Sequence, residues 1–358
     1  MTLLLSVILI VAVFVSLRLW HGLAERRLAQ SLQAAKQTIT PQPDVEPAQS
    51  PRADQADSEA PQTDDQAEVA AWREEARLGS VNAMHNLGVA YAKGIMGLPQ
   101  NYREAVNWWR KAVDRGYGPD EATPLSMFNL GLAYQSGRGV PQSDRDAVYW
   151  YKKSAEHGHA DAMYHVGLAY LGGSGVGQSD RDAVVWWRRA ADLGHAIAME
   201  AMAEAYNEGR GVPQSDADAQ HWWRAAADLG YVPAMHNLAT LYQQGHGVSQ
   251  DAAEAATWLR RAADLGDTDA MYKLGYAYAI GDGVIQNAAY AVRWWRQGAD
   301  LGNADAMFNL GVAYYNGRGV AQSHQQAVHW FKQAEAAGLT EAAEMIERVQ
   351  QEINAQPL

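Results

Sequence analysis

The sequence predicts an all-α array of seven helix pairs, on three observations. Seven methionines, Met84, Met127, Met163, Met199, Met235, Met271 and Met307, mark a repeat whose first step is 43 residues and whose other five are 36. A glycine turn follows each of them. Apolar residues on both sides of that turn recur with the period of an α-helix.

The first helix of each unit carries Ala83, Leu87, Ala90 and Tyr91, or their equivalents, at i, i+4, i+7 and i+8, which is one helix face. Tyr recurs seven residues after every Met, as Tyr91, Tyr134, Tyr170, Tyr206, Tyr242, Tyr278 and Tyr314. Gly88, Gly131, Gly167, Gly275 and Gly311 interrupt this helix at a cost of roughly 1 kcal/mol each. A recurring cost implies a recurring need, the close approach of another helix.

The turn reads Gly137-Arg138-Gly139-Val140 or Gly317-Arg318-Gly319-Val320, with glycine supplying the positive φ of a chain reversal. The first copy departs from this pattern as Gly94-Ile95-Met96-Gly97-Leu98. Ser143 with Asp146, Ser179 with Asp182, and Ser215 with Asp218 then open the second helix as capping boxes. A Trp follows in every copy: Trp108, Trp150, Trp186, Trp222, Trp258, Trp294 and Trp330. The Ala183–Trp186–Ala190 stripe places Trp186 inward and leaves Trp187 one step round the helix. Eleven of the thirteen tryptophans belong to these second helices. The unit closes on Gly116, Gly158, Gly194, Gly230, Gly266, Gly302 or Gly338.

The Ala-x-x-x-Leu-Gly-x-x-Tyr helix of Ala306 to Tyr314, the Gly-x-Gly-Val turn, and the Ala-x-x-Trp helix of Ala183 to Gly194 together resemble the Sel-1-like repeat. That family is a relative of the tetratricopeptide repeat. The resemblance implies a right-handed superhelix of antiparallel helix pairs, a solenoid acting as an adaptor for protein complexes. It covers residues 80–338. Unit four departs with Met202-Ala203, unit five with Ala239, and seven extra residues around Gly118-Pro119-Asp120 and Pro124 follow unit one. The insertion is expected to loosen or bend the stack. Residues 67–79 and 339–358 are expected to cover the two ends as capping helices, the last running into a short tail.

The N-terminus has a different character. Leu3 to Leu17 is an uncharged apolar run, and Trp20 extends it past Arg18. This meets the lower length limit of a spanning helix, so residues 1–22 are expected to be an uncleaved transmembrane anchor. No Lys or Arg precedes the run, which argues against a cleaved signal peptide. Arg18, Arg26, Arg27 and Lys36 all follow it and orient the body toward the cytoplasm of a bacterial-type inner membrane, the periplasm being the alternative. Residues 23–66 then read as a juxtamembrane helix and a Pro/Gln-rich disordered linker.

Charge and composition remove several function classes. The net charge of −12 disfavours nucleic-acid partners. The absence of cysteine removes disulfides, thiolate metal sites and Cys nucleophiles. The Asp-x-Asp pairs lack the oxygen ladder of a calcium loop and fit helix capping. Gly173-Ser174-Gly175-Val176-Gly177 follows a helix and lacks the Lys-Ser/Thr of a phosphate loop. His157, His159, His165 and His195 fit solvated or capping roles better than a zinc site. No catalytic constellation, cofactor motif or metal set emerges, so the reading is a non-enzyme scaffold that binds proteins or peptides, the alternative being a periplasm-facing repeat protein that organises envelope or polysaccharide machinery.

One row stands apart. Two residues after each Met lie Asn86, Asn129, His165, Ala201, Asn237, Lys273 and Asn309. The resemblance implies that an Asn there faces the inner groove of the superhelix. It makes Asn86, Asn129, Asn237 and Asn309, with His165 and Lys273 in the same row, candidate partner contacts. The competing role for these Asn is a bond to a neighbouring helix.

Overall fold

The structure is a computed structural model that describes residues 64–116 and 122–355. Its contacts divide the chain into Met1–Ala67 and Glu68–Leu358, and only the second unit bears on the site. The described residues form sixteen helices and no strand. The expected anchor and linker lie outside them, apart from the start of the first helix. No described helix is long and apolar enough to cross a membrane.

After α1 (Asp64–Leu78) the pairs follow in order. They are α2 (Val81–Lys93) with α3 (Tyr102–Asp114), α4 (Ala122–Ser136) with α5 (Asp144–Glu156), and α6 (Ala160–Gly172) with α7 (Asp180–Asp192). Next come α8 (Ala196–Glu208) with α9 (Asp216–Asp228), and α10 (Val232–Gln244) with α11 (Ala252–Asp264). Then α12 (Thr268–Ile280) pairs with α13 (Ala288–Asp300), and α14 (Ala304–Asn316) with α15 (His324–Ala336), before a final α16 (Ala342–Ala355). From α2 onward each helix packs against the next, and α2 also touches α4 as α12 touches α14, so first helices line up beside first helices.

Local chemistry fixes these boundaries. Ser143, Ser179 and Ser215 cap the second helices, each hydroxyl accepting the N–H three residues on at 3.2 Å. The reciprocal half of the expected capping box is not made. The Ser143 N–H instead donates to the Tyr134 carbonyl at 2.9 Å, as Ser179 does to Tyr170 and Ser215 to Tyr206. The recurring Tyr therefore marks the carbonyl that anchors the next helix start. His159 and His195 cap α6 and α8, their Nδ1 atoms accepting from Ala162 at 3.2 Å and Ala198 at 3.0 Å.

The first turn glycine ends the helix in the left-handed region, as Gly173 does at φ 69°. The second glycine has another task. A Cβ on Gly175 would overlap the Asp144 carbonyl at the start of the preceding unit's second helix, so consecutive units meet there. In the divergent first copy Met96 takes a positive φ of 58°.

Within five of the seven pairs a helical glycine receives an aromatic ring. A Cβ on Gly167 would overlap the Trp187 indole, as one on Gly88 would Trp109, on Gly275 Trp295, on Gly131 Tyr151 and on Gly311 Phe331. This corrects the expected face of the second helix. Trp187 is 4% exposed and Trp186 half-buried. The inward stripe runs Ala183, Trp187, Ala190 at i, i+4, i+7, and the glycine that accepts the ring lies on the other helix. Units four and five, where Ala203 and Ala239 replace the glycine, bury the neighbouring Trp222 and Trp258 as well.

Tyr hydroxyls tie units together across the next interface. Lys152 donates to Tyr170 at 2.8 Å, Arg224 to Tyr242 at 2.6 Å, and Arg260 and Arg296 to Tyr278 and Tyr314. Arg73 on α1 makes the same bond to Tyr91 at 3.2 Å, so α1 stands where a preceding second helix would. At the far end α16 buries Ala342, Ile346 and Val349.

The inserted residues after unit one divide three ways. The α2–α3 turn spans residues 94–101 against 137–143 in the next unit, α4 has 15 residues instead of 13, and the rest fall around 117–121, outside the described residues. Pro124 lies within α4, its carbonyl accepting from Ser154 at 2.7 Å.

Candidate functional site

The first helices stand side by side, on the face that the resemblance makes the inner groove, and the side chains there are set by position within the repeat. Counting from the unit Met, residues +1 and +2 of neighbouring units meet. The +5 and +9 residues lie farther along the same helices, toward the turns.

The structure separates the six candidate residues. Asn86 is exposed. Asn129 is half-buried and lines a cavity of about 400 Å³ with Lys93, Trp109, Leu132 and Arg138. Asn237 donates to Glu200 Oε1 of the preceding unit at 2.7 Å. Asn309 hydrogen-bonds the Tyr272 phenol of the preceding unit. His165 packs among rings, 5.3 Å from Phe128 and 5.0 Å from Tyr151 between centroids, and burial lowers its pKa. Lys273 pairs with Asp269 on its own helix at 2.8 Å. The row is thus not one open surface. Asn237, Asn309 and His165 bind units to each other, while Asn86 and Asn129 remain available on the groove.

The +1 row completes these ties. His85 Nδ1 lies 2.9 Å from Ser126 Oγ, and burial lowers the His85 pKa to about 4, so the ring is neutral near pH 7. His236 Nε2 lies 2.9 Å from the Asp267 carboxylate that caps α12. His195 Nε2 lies 3.0 Å from Asp161, and its ring stacks on Tyr164 at 5.3 Å. Each of these imidazoles is committed to a cap or an inter-unit contact. Among the described residues, no three His, Cys, Asp or Glu side chains converge as a metal site.

Unit four holds a strongly perturbed carboxyl. Glu200 is pushed up to about 7, first by burial and then by the Glu204 charge, with Asn237 and Trp223 partly offsetting this. Near pH 7 it carries only part of its charge, which suits its place between helices. A second cavity, of about 280 Å³, opens beside it between Glu204, Glu208, Trp223, Asn237 and Thr240. Glu200, Glu204, Lys93 and Arg138 all escaped the sequence reading. Setting the seven units side by side and asking where charge differs among them would have found them.

A Sel1 repeat model matches residues 81–117, 124–159, 160–195, 196–231, 232–267, 268–303 and 304–339. The protein belongs to the Sel1 repeat family.

Two solved structures share the fold. A protective antigen of uropathogenic Escherichia coli, described as displaying an SLR fold, is 31% identical with a TM-score of 0.69, over 78% of this chain and 59% of that one. A Sel1 repeat protein from Oxalobacter formigenes is 34% identical with a TM-score of 0.65, over 79% of this chain and 81% of that one. The ERAD-associated E3 ubiquitin-protein ligase component HRD3A of Arabidopsis thaliana is 38% identical over 65 residues. That match spans 18% of this chain and 9% of the relative's length.

Proposed function

We propose that this protein is a membrane-tethered scaffold that holds partner proteins in the groove along its first helices. Sel1 repeats serve as protein-interaction modules, and the fold supplies such a surface. The observation that carries the reading is a contrast within the repeat. Packing positions are nearly invariant from unit to unit, whereas groove positions change charge and size.

The tether rests on the apolar run from Leu3 to Leu17 and on the four cationic residues after it, which favour a cytoplasmic body. The groove is taken to follow a right-handed superhelix, as the resemblance implies. A photo-crosslinking residue at Leu168, which is 37% exposed at a groove position, tests the scaffold in the cells that make it. A discrete protein adduct is expected there and not from Tyr290 on the second helix of unit six. Equal labelling from both sites overturns the reading. A reporter fused after Leu358 tests the side of the membrane, with activity confined to the periplasm reversing the orientation.

A further inference from the structure

The two groove cavities are lined by equivalent repeat positions but carry opposite charge. In the first, Lys93 at +9 of unit one faces Asn129 at +2 of unit two, with Arg138 beyond the end of α4. In the second, Glu208 and Glu204 occupy +9 and +5 of unit four opposite Asn237 at +2 of unit five. Glu208 pairs with Arg210 at 2.5 Å, which leaves Glu204 as the niche's carboxylate without an ion pair among the described residues. Trp109 and Trp223, at matching positions of α3 and α9, form the two floors.

Among the described residues neither Lys93 nor Arg138 pairs with a carboxylate, and the Arg138 guanidinium lies 5.2 Å from the Tyr102 ring centroid. Cations also gather elsewhere in this chain of net charge −12, Arg73, Arg77, Lys111 and Arg115 lining another cavity with Asp114. At the +5 position Leu132 lines the edge of the first niche and Leu168 follows it in the next unit, 36% and 37% exposed. From unit one to unit five the groove therefore runs basic, apolar, acidic.

Resting on the scaffold reading above, we propose that this stretch binds one extended segment of a partner protein in a fixed direction. Its carboxylate lies at Lys93 and Arg138, its apolar side chains cover Leu132 and Leu168, and its cation lies at Glu204. An extended strand turns alternate side chains to one side, which suits discrete niches, and each Asn amide offers a donor and an acceptor to its backbone. Like charges brought together suppress the reversed orientation.

The test pans random displayed peptides of about 16 residues, roughly 50 Å when extended, on the full chain in detergent. It is repeated on the charge-exchanged variant Lys93→Glu, Arg138→Glu, Glu204→Lys. All three side chains are exposed, and helical circular dichroism checks that the variant folds. The wild type is expected to enrich peptides with acidic and basic residues at opposite ends of an apolar centre. The variant is expected to enrich the opposite order and to bind the wild-type peptides about tenfold or more weaker. The same peptides from both proteins overturn the charge order and leave the scaffold reading standing. Failure of either protein to enrich any peptide counts against both. Stronger binding at these niches by a synthetic peptide of the chain's own residues 23–63 overturns the partner assignment.

Discussion

Where α6 meets α7, Gly167 lies under Trp187, and the same pairing recurs at Gly88–Trp109, Gly131–Tyr151, Gly275–Trp295 and Gly311–Phe331. Along the groove the +5 position instead runs Val89, Leu132, Leu168, Glu204, Thr240, Tyr276 and Val312. The seam is constrained by volume, because a ring fills the space that a missing Cβ leaves, and close packing transmits any change of size. Groove positions face solvent and share no such constraint, so each unit is free to present a different side chain. Within one chain of repeats, recurrence marks what holds the array together and variation marks what it offers to a partner.

The largest effect is expected at the seam. Trp187→Ala should lower stability by about 3–5 kcal/mol, the range for large aromatic truncations in a core. Trp186→Ala should cost about 1 kcal/mol, since that ring is already half in water. Urea midpoints followed by circular dichroism measure both. Equal midpoints would remove the distinction between buried and half-buried aromatics on which the comparison rests.

That pair also shows what the sequence made legible. The repeat register, the turns and the serine caps follow from local spacing and were readable. The inward face of the second helix was not. Residues i+3 and i+4 both lie within one helical face, so periodicity alone does not choose between Trp186 and Trp187. The choice is made by Gly167, twenty residues earlier on another helix. The Asn row was legible as a row, but its division was not. Asn237 lines the second cavity but commits its amide N–H to Glu200, a partner found only when units four and five are stacked.

A pH-dependent effect tests the one place where the groove intrudes on packing. Glu200 has a raised pKa in the folded chain, so folding disfavours its charged form. Below the ordinary carboxylate pKa it is protonated in both states and costs nothing. The penalty grows as pH rises from that value to about 7 and is complete above it. Glu200→Gln should therefore stabilise the chain by up to about 3 kcal/mol at pH 8 and by almost nothing at pH 4. Thermal midpoints across that range check the sign. A gain that is equal at both pH values would mean that shape, not charge, is responsible.

The inter-unit ties should matter less. Tyr242→Phe removes the hydroxyl that accepts from Arg224 at 2.6 Å and Gln220 at 2.7 Å. The contact is near the surface, where a hydrogen bond contributes about 1 kcal/mol net. A loss of that size in the urea midpoint is expected. A loss as large as that of Trp187→Ala would place the Tyr ties among the core contacts.

The smallest effect on stability is expected at the open end of the Asn row. Asn86 is exposed, and Asn129 faces the cavity beside Lys93 and Arg138. Their joint replacement, Asn86→Ala with Asn129→Ala, should leave the thermal midpoint within the effect of about 0.5 kcal/mol usual for surface sites. It should still weaken a peptide bound in the groove, because each amide offers both a donor and an acceptor to an extended backbone. Asn237→Ala should do the reverse. It strips Glu200 of its 2.7 Å donor in a largely buried setting, so stability falls while the basic niche is untouched. Binding assays and melting curves on the two variants therefore move in opposite directions. If both variants lose stability and keep binding, the whole row belongs to the seam, and the surface that meets a partner lies elsewhere on the array.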